Sequence, residues 1–158
     1  MKKIFLSAIT LITLFACSTT KKSSTGNMIA TMQVDEPIPG VCDNSNVIAI
    51  LPFPGNGQIK AQAPLTDEEI TNKLNKEVDF LKGKSNYNDK GMINLIVNCE
   101  GKMVRCQIDN KTQSPELDQQ IVDVFSKMVD WKAGTVNEKR VDTSVLYSFE
   151  IVNGNISL

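Results

Sequence analysis

Four cysteines carry the most distinctive chemistry of this 158-residue chain: Cys17, Cys42, Cys99 and Cys106. A thiol can be acylated, form a disulfide, bind a metal or act as a nucleophile. The chain contains no histidine, so a cysteine nucleophile would lack its usual general base and a zinc site would need an unusual ligand set. The sequence therefore predicts no metal site and no cofactor.

Carboxylates are the other groups that could do acid and base chemistry, but their positions have a structural explanation. Glu68, Glu69, Glu116 and Asp118 all fall in the first turn of a predicted helix. Negative charge at that end is stabilised by the helix dipole. We therefore predict that the protein is not an enzyme, and a cysteine- or carboxylate-based hydrolase ranks last among the functions considered.

The N-terminus has the build of a secretory signal. Two lysines precede an apolar run over residues 4–16, which is too short to span a bilayer unaided. The run ends in Leu14-Phe15-Ala16-Cys17, which resembles the lipobox of bacterial lipoproteins, although Phe15 is bulkier than the usual occupant. The resemblance implies that residues 1–16 are removed and that Cys17 is acylated. The alternative is a soluble secreted protein that is cut nearby.

An acylated Cys17 leaves an odd set of three cysteines in a compartment that permits disulfides. In a simple hairpin, Cys99 and Cys106 would lie about four positions out of step, too far apart to bond. Cys42 is therefore the favoured partner for one of them. The sequence leaves open which of the two it pairs with.

The composition describes one globular domain behind a polar leader. With 41% hydrophobic residues, 22% charged residues and a net charge of -1, the chain lacks the basic excess of a nucleic-acid-binding protein. Residues 17–45 begin with small polar side chains without periodicity and are predicted to be a flexible tether. Residues 46–158 are predicted to form the folded domain.

Two helices are indicated by their caps and their apolar periodicity. The first begins at Thr66, whose spacing to Glu69 forms a capping box, and stops at Lys82-Gly83. The second begins at Ser114-Pro115, with serine as N-cap and proline in the first turn. The apolar stripes that should face the core, with the tryptophan that follows, are Ile70, Leu74, Val78 and Leu81, and Leu117, Ile121, Val124, Phe125, Met128 and Trp131.

The strands are read from β-branched runs and turn residues. Residues 92–97 and 103–108 flank Glu100-Gly101 and predict a hairpin, in which Val97 would face Val104, Leu95 would face Cys106 and Ile93 would face Ile108 unless the loop is bulged. The apolar run at 46–51 is either a strand or an extended segment. Apolar residues alternate from Val145 to Ile151, and Asn153-Gly154 turns the chain into the closing residues 156–158.

From about Gly91 onward this order resembles the C-terminal domain of TonB. The matching parts are an apolar strand, a Gly-Lys turn, a second strand, a helix carrying Leu-Asp, a tryptophan and a last amphipathic strand: Ile93 to Val97, Gly101-Lys102, Val104 to Ile108, Leu117-Asp118, Trp131, and Val145 to Ile151 with Gly154. The turn Asn98-Cys99-x-Gly101 looks most like a Bacteroidetes branch of such domains. The resemblance implies an α+β fold in which a small antiparallel sheet of three to four strands packs against two helices.

The departures from that family limit what can be carried over. The family's Tyr-Pro before the first strand is Tyr87-Asn88 here, and its Trp-x-Pro is Trp131-Lys132-Ala133. The chain also lacks the retained membrane helix and proline-rich spacer of an energy transducer. We therefore do not expect this protein to couple receptors to the proton gradient.

The function expected from these observations is a non-catalytic interaction module, lipid-anchored in the cell envelope on the periplasmic face of the outer membrane. The partners would be the membrane, through Cys17, and an envelope protein whose extended segment adds to a sheet edge. By resemblance that edge is the last long strand, with Val145, Tyr147, Phe149 and Ile151, unless residues 156–158 cover it. The alternative is a structural envelope lipoprotein that contacts peptidoglycan or a scaffold.

Overall fold

Two helices lie against one face of a mostly antiparallel sheet in the computed structural model, which describes residues 30–32, 36–49 and 57–158. Within that part the helices are α1 (Asp67–Glu77) and α2 (Pro115–Ser126), with a short 3₁₀ helix at Asp79–Leu81. The predicted signal segment and Cys17 lie outside the described residues. The mixed α+β class expected from the sequence is confirmed.

Helix α1 starts where the sequence places it. Thr66 Oγ1 accepts a hydrogen bond from the Glu69 amide at 3.2 Å, and the Thr66 amide donates to Glu69 Oε2 at 2.8 Å. Both contacts use backbone N–H groups that have no partner inside a helix. The predicted stop at Lys82-Gly83 is wrong, because α1 ends at Glu77 and a 3₁₀ helix follows it. All four residues of the predicted stripe are nevertheless buried: Ile70, Leu74, Val78 and Leu81.

Helix α2 also follows its predicted start. Ser114 Oγ accepts from the Leu117 amide at 3.3 Å, and Pro115 occupies the first turn, where its missing N–H costs nothing. The side chains that face the sheet are buried, as is the tryptophan after the helix: Leu117, Ile121, Val124, Phe125, Met128 and Trp131.

Six strands form the main sheet in the described part of the chain, more than the three to four expected. They are β1 (Ala30–Met32), β2 (Val47–Ala49), β4 (Asp89–Val97), β5 (Met103–Asn110), β8 (Thr143–Val152) and β9 (Asn155–Ser157). Their order across the sheet is β1-β2-β8-β4-β5, and β9 also pairs with β8. Pairing is antiparallel throughout except between β2 and β8.

The β4–β5 hairpin keeps two of its three predicted cross-strand pairs. Ile93 lies opposite Ile108 and Leu95 lies opposite Cys106, but Val97 lies opposite Met103 instead of Val104. A register shift between Ile96 and Val97 leaves Val104 as an extra residue on β5. The pairs beyond this bulge have the predicted register, and only the pair between the bulge and the turn differs by one residue, which explains the single wrong pair.

A second, smaller sheet was not anticipated. It consists of β3 (Gln58–Ile59), β6 (Gly134–Val136) and β7 (Lys139–Val141) in that order. Residues 137 and 138 form the turn between β6 and β7, and both have positive φ, as a tight hairpin of this hand requires. We call this element the small sheet.

The part of the predicted tether that the structure describes differs from a free linker. Residues 30–32 pair with β2, and residues 36–46, which we call the strap, lie on the sheet face away from the helices. Ile38 is buried against Ile96. The folded domain therefore includes residues before 46. Within the described residues, no helix has the length and apolar character to cross a membrane.

Candidate interaction site

The strand predicted to offer a free edge, β8, lies inside the sheet. It pairs with β4 along its length, from Ile151 opposite Asp89 to Thr143 opposite Val97. On its other side, Thr143 and Ser144 pair with β2, and residues 150–152 pair with β9. Strands β2 and β9 therefore cover the two ends of the predicted binding edge, while residues 145–149 have no strand partner on that side among the described residues.

The four side chains named for that edge belong mainly to the core. Val145, Phe149 and Ile151 are buried. Tyr147 is half-buried and its ring lies 5.3 Å from that of Phe125, centroid to centroid. These side chains fix β8 under the helices and do not present a recognition surface.

The outer edge of β9 is closed by one side chain. Asn75 of α1 donates from Nδ2 to the Ile156 carbonyl at 2.8 Å and accepts the Ile156 amide on Oδ1 at 2.8 Å. An amide side chain offers a donor and an acceptor together, so it satisfies the backbone groups that a neighbouring strand would otherwise pair with. A further strand cannot pair with Ile156 unless Asn75 moves.

The longest strand at the outside of the main sheet, among the described residues, is β5. Among the described residues this eight-residue strand pairs with β4 alone, so its outer side carries backbone N–H and C=O groups without a strand partner. Its two register shifts leave Val104 and Asp109 as extra residues. The regular stretch between them is Arg105–Ile108, and it is the segment to which another chain could add.

Side chains on this stretch alternate between two environments. Cys106 and Ile108 pack against the main core below α2, while Gln107 is exposed. Cys106 Sγ contacts the Val122 carbonyl at 3.7 Å, and burial raises the pKa of its thiol. A thiol held neutral is a poor nucleophile.

The other end of the hairpin is joined covalently to the strap. Cys42 forms a disulfide with Cys99, across 57 positions of sequence. Beside this bond, the Asn98 side chain donates to the Gly40 carbonyl at 2.8 Å and accepts the amides of Glu100 and Lys102. The β4–β5 turn and the strap are thus tied together by one covalent bond and one hydrogen bond.

A buried carboxylate organises the same junction. Asp142 is 2% exposed, and its oxygens accept the amides of Cys42 at 3.0 Å, Asp43 at 2.7 Å and Cys99 at 3.0 Å. Three backbone donors replace the water that a buried carboxylate loses. The Asp142 carbonyl also accepts the Ile48 amide at 2.9 Å, so the same residue also holds β2, which follows the strap.

Sulfur and oxygen atoms of Cys42, Cys99 and Asp142 lie within 4.8 Å of one another, a spacing that suits a metal ion. Both sulfurs are already bonded to each other, and the carboxylate oxygens already accept three amides. The chemistry of this cluster is therefore that of a structural junction.

The carboxylates considered for catalysis have structural partners or lie at a helix start. Glu69 completes the cap of α1, and Asp118 Oδ1 accepts the amide and hydroxyl of Thr112 at 3.1 and 2.7 Å. Glu68 and Glu116 are exposed in first helical turns. The structure does not bring these four residues together into one site.

Comparisons with models of protein families, with curated proteins and with solved structures found no match for this chain. The resemblances to lipoproteins and to the TonB C-terminal domain remain predictions from the residues quoted above. No local pattern marks Asp142, which stands alone before a strand, or Asn75, which resembles any other exposed helix residue.

Proposed function

We propose that this protein is a non-catalytic interaction module, anchored through a lipid on Cys17 at the periplasmic face of the outer membrane, that binds an extended segment of an envelope protein. The observation that carries the proposal is the β5 edge. Backbone pairing would supply affinity, and side-chain contacts on alternate residues would supply specificity.

The regular part of this edge limits the length of the ligand. The bulges at Val104 and Asp109 interrupt the ladder, so an added strand would pair with about four residues centred on Cys106 and Gln107. Such a short ladder gives modest affinity. Modest affinity suits a partner that is held nearby on the same membrane, because its effective concentration is high.

The disulfide supports an extracytoplasmic location, because such bonds persist in oxidising compartments. It also supports a role other than cysteine catalysis. Cys99 is consumed in the bond, and burial raises the pKa of the remaining thiol, Cys106.

Site-specific photocrosslinking in the native host tests the proposal. A photoreactive residue at Gln107, which is exposed on β5, is compared with one at Asn72, which is exposed on α1. We expect a discrete adduct with an envelope protein from position 107 only, mapped to an extended segment of that partner. Adducts of equal yield from both positions, or capture of wall components alone, would overturn strand addition at β5; the second result favours the structural lipoprotein.

A thiol control addresses the enzyme alternative. Cys106→Ser removes the free thiol and keeps a group of similar size. We expect the crosslinking yield from position 107 to be unchanged, because the side chain of Cys106 points to the core and not to the edge. Thiol-dependent turnover of any substrate that this change abolishes would instead support a hydrolase.

A further inference from the structure

Positive charge is concentrated on the small sheet and on the residues that extend it. Lys60 follows β3, Lys132 precedes β6, and Lys139 and Arg140 belong to β7. All four are exposed, and none takes part in an ion pair among the described residues. The only acidic residue in these strands and their turn is Glu138.

The register places three of these cations on one face. Gln58 pairs with Val136 and Gln62 bridges to Lys132, so Lys60 lies between them on the same side of β3 as both glutamines. Lys139 lies opposite Val136. Residues directly opposite one another, and residues two apart along one strand, share a face of a sheet. Lys60, Lys132 and Lys139 therefore lie on the same face of the small sheet.

The rest of the fold shows the opposite charge. Helices α1 and α2 together contain seven acidic and two basic residues. The overall net charge of -1 therefore conceals a separation between a negative helix layer and a positive small sheet. A molecule charged in this way has a preferred orientation near a charged surface.

We propose that the small sheet docks on anionic phospholipid headgroups and so orients the domain on its membrane. Three lysines on one face complement negatively charged headgroups. A lysine stem can also lie along the interface while its ammonium group meets phosphate.

The distance to the proposed anchor permits this contact. Cys17 and Ala30 are separated by twelve residues, which span at most roughly 40 Å when fully extended. That reach is comparable to the diameter of a domain of this size. The anchor alone therefore does not determine which face of the domain meets the membrane. The positive charge of the small sheet determines this orientation.

Lysine footprinting on vesicles tests the inference directly. The full chain, with its anchor, is reconstituted into vesicles of phosphatidylcholine alone or of equal parts phosphatidylcholine and phosphatidylglycerol. An amine-acetylating reagent then measures the accessibility of each lysine by mass spectrometry. Lys60, Lys132 and Lys139 report on the small sheet, and Lys76, Lys90 and Lys111, exposed on other elements, are the matched controls.

We expect the three small-sheet lysines to react several-fold more slowly on anionic vesicles at low salt, and to regain their rate at high salt. The controls should react equally on both vesicle types. A cation near an anionic surface changes partitioning roughly fivefold, so three together change it about 100-fold. Equal rates for the small-sheet lysines on both vesicles, or equal slowing of the controls, would overturn the inference.

Charge reversal provides a second test that does not depend on lysine reactivity. The triple variant Lys60→Glu, Lys132→Glu and Lys139→Glu is compared with Lys76→Glu, Lys90→Glu and Lys111→Glu, which changes the net charge equally. Hydrogen exchange of the β6–β7 amides is the readout. The protection of these amides that anionic vesicles cause should vanish in the small-sheet variant and persist in the control variant. Protection that persists in both variants would contradict docking through these lysines.

Discussion

The two faces of the main sheet are covered in different ways. Among the described residues, eighteen buried hydrophobic side chains form the core below α1 and α2, on the side we call the helix face. The opposite face is covered in part by the strap, and its core in the same part of the chain contains three such residues, Ile38, Val47 and Ile96. The strap is instead held by the Cys42–Cys99 bond and by Asp142.

This difference shows how a short irregular segment can be fixed on a sheet. Apolar burial stabilises the helix face in proportion to the area removed from water. The strap buries too little apolar surface to offset the entropy of ordering its backbone. The strap is instead stabilised by a disulfide bond and by a carboxylate that accepts hydrogen bonds from three backbone amides.

Matched isoleucines on the two faces give the largest expected contrast. Ile121 is 0% exposed on the helix face, and Ile38, a residue of the strap, is 5% exposed on the opposite face. We expect Ile121→Ala to lower the free energy of unfolding by about 3–5 kcal/mol, and Ile38→Ala by about 2 kcal/mol or less, because the strap can collapse into the space. Urea denaturation measures both, and equal losses would contradict the contrast.

Removing the disulfide should separate the two faces more clearly. In the double variant Cys42→Ser and Cys99→Ser we expect a loss of about 2–4 kcal/mol in the free energy of unfolding. Hydrogen exchange should accelerate first in the strap and the β4–β5 turn, while α1 and α2 stay protected under native conditions. Loss of protection in the helices at the same rate would show that the strap is part of the main cooperative unit.

The buried carboxylate is expected to have a smaller effect than the bond beside it. Asp142→Asn keeps the shape but presents an amide donor to backbone donors, so we expect a loss of about 1–3 kcal/mol. Asp123→Asn, at an exposed position of α2, should change stability by less than about 0.5 kcal/mol. Chemical denaturation at neutral pH compares them, and equal effects would remove Asp142 from the junction.

The tyrosines test how well the helix face excludes water. Tyr87 and Tyr147 are the only two in the chain, and burial, with Asp89 also acting on Tyr87, raises the pKa of each from 10.0 to about 12. Because the folded state holds these protons more tightly than the unfolded state, stability should fall as pH rises from about 10 towards about 12. Phenolate absorbance should therefore appear near pH 12 in the folded protein; a rise near pH 10 would show that both rings are open to solvent.

Local signals in the sequence predicted the elements of the helix face well. Thr66 with Glu69 and Ser114 with Pro115 locate the helix starts because caps act within four residues. The apolar stripes identify the buried side chains because helix periodicity fixes which residues share a face. Two of three hairpin pairs followed from the turn, and the third failed at a bulge that no local signal marked.

The candidate site was predicted less well because edges are a property of the whole sheet. Alternation in Val145 to Ile151 correctly indicates a half-buried strand, but the pattern is the same whether that strand lies at an edge or inside. Strand β2 pairs with β8 across almost a hundred positions of sequence, and this pairing covers only the start of β8. The β5 edge emerges only after every other strand has been placed.

The sequence by itself determined the helix starts, their buried faces and the main hairpin, since all of these depend on neighbours along the chain. Only the tertiary structure decided that Cys42 pairs with Cys99, that Asp142 anchors the strap, that β5 is an edge and that three lysines share one face of the small sheet. These features join residues far apart in sequence, and their geometry is fixed only when the chain packs, because long-range pairing is selected by burial of the whole core and not by local preference.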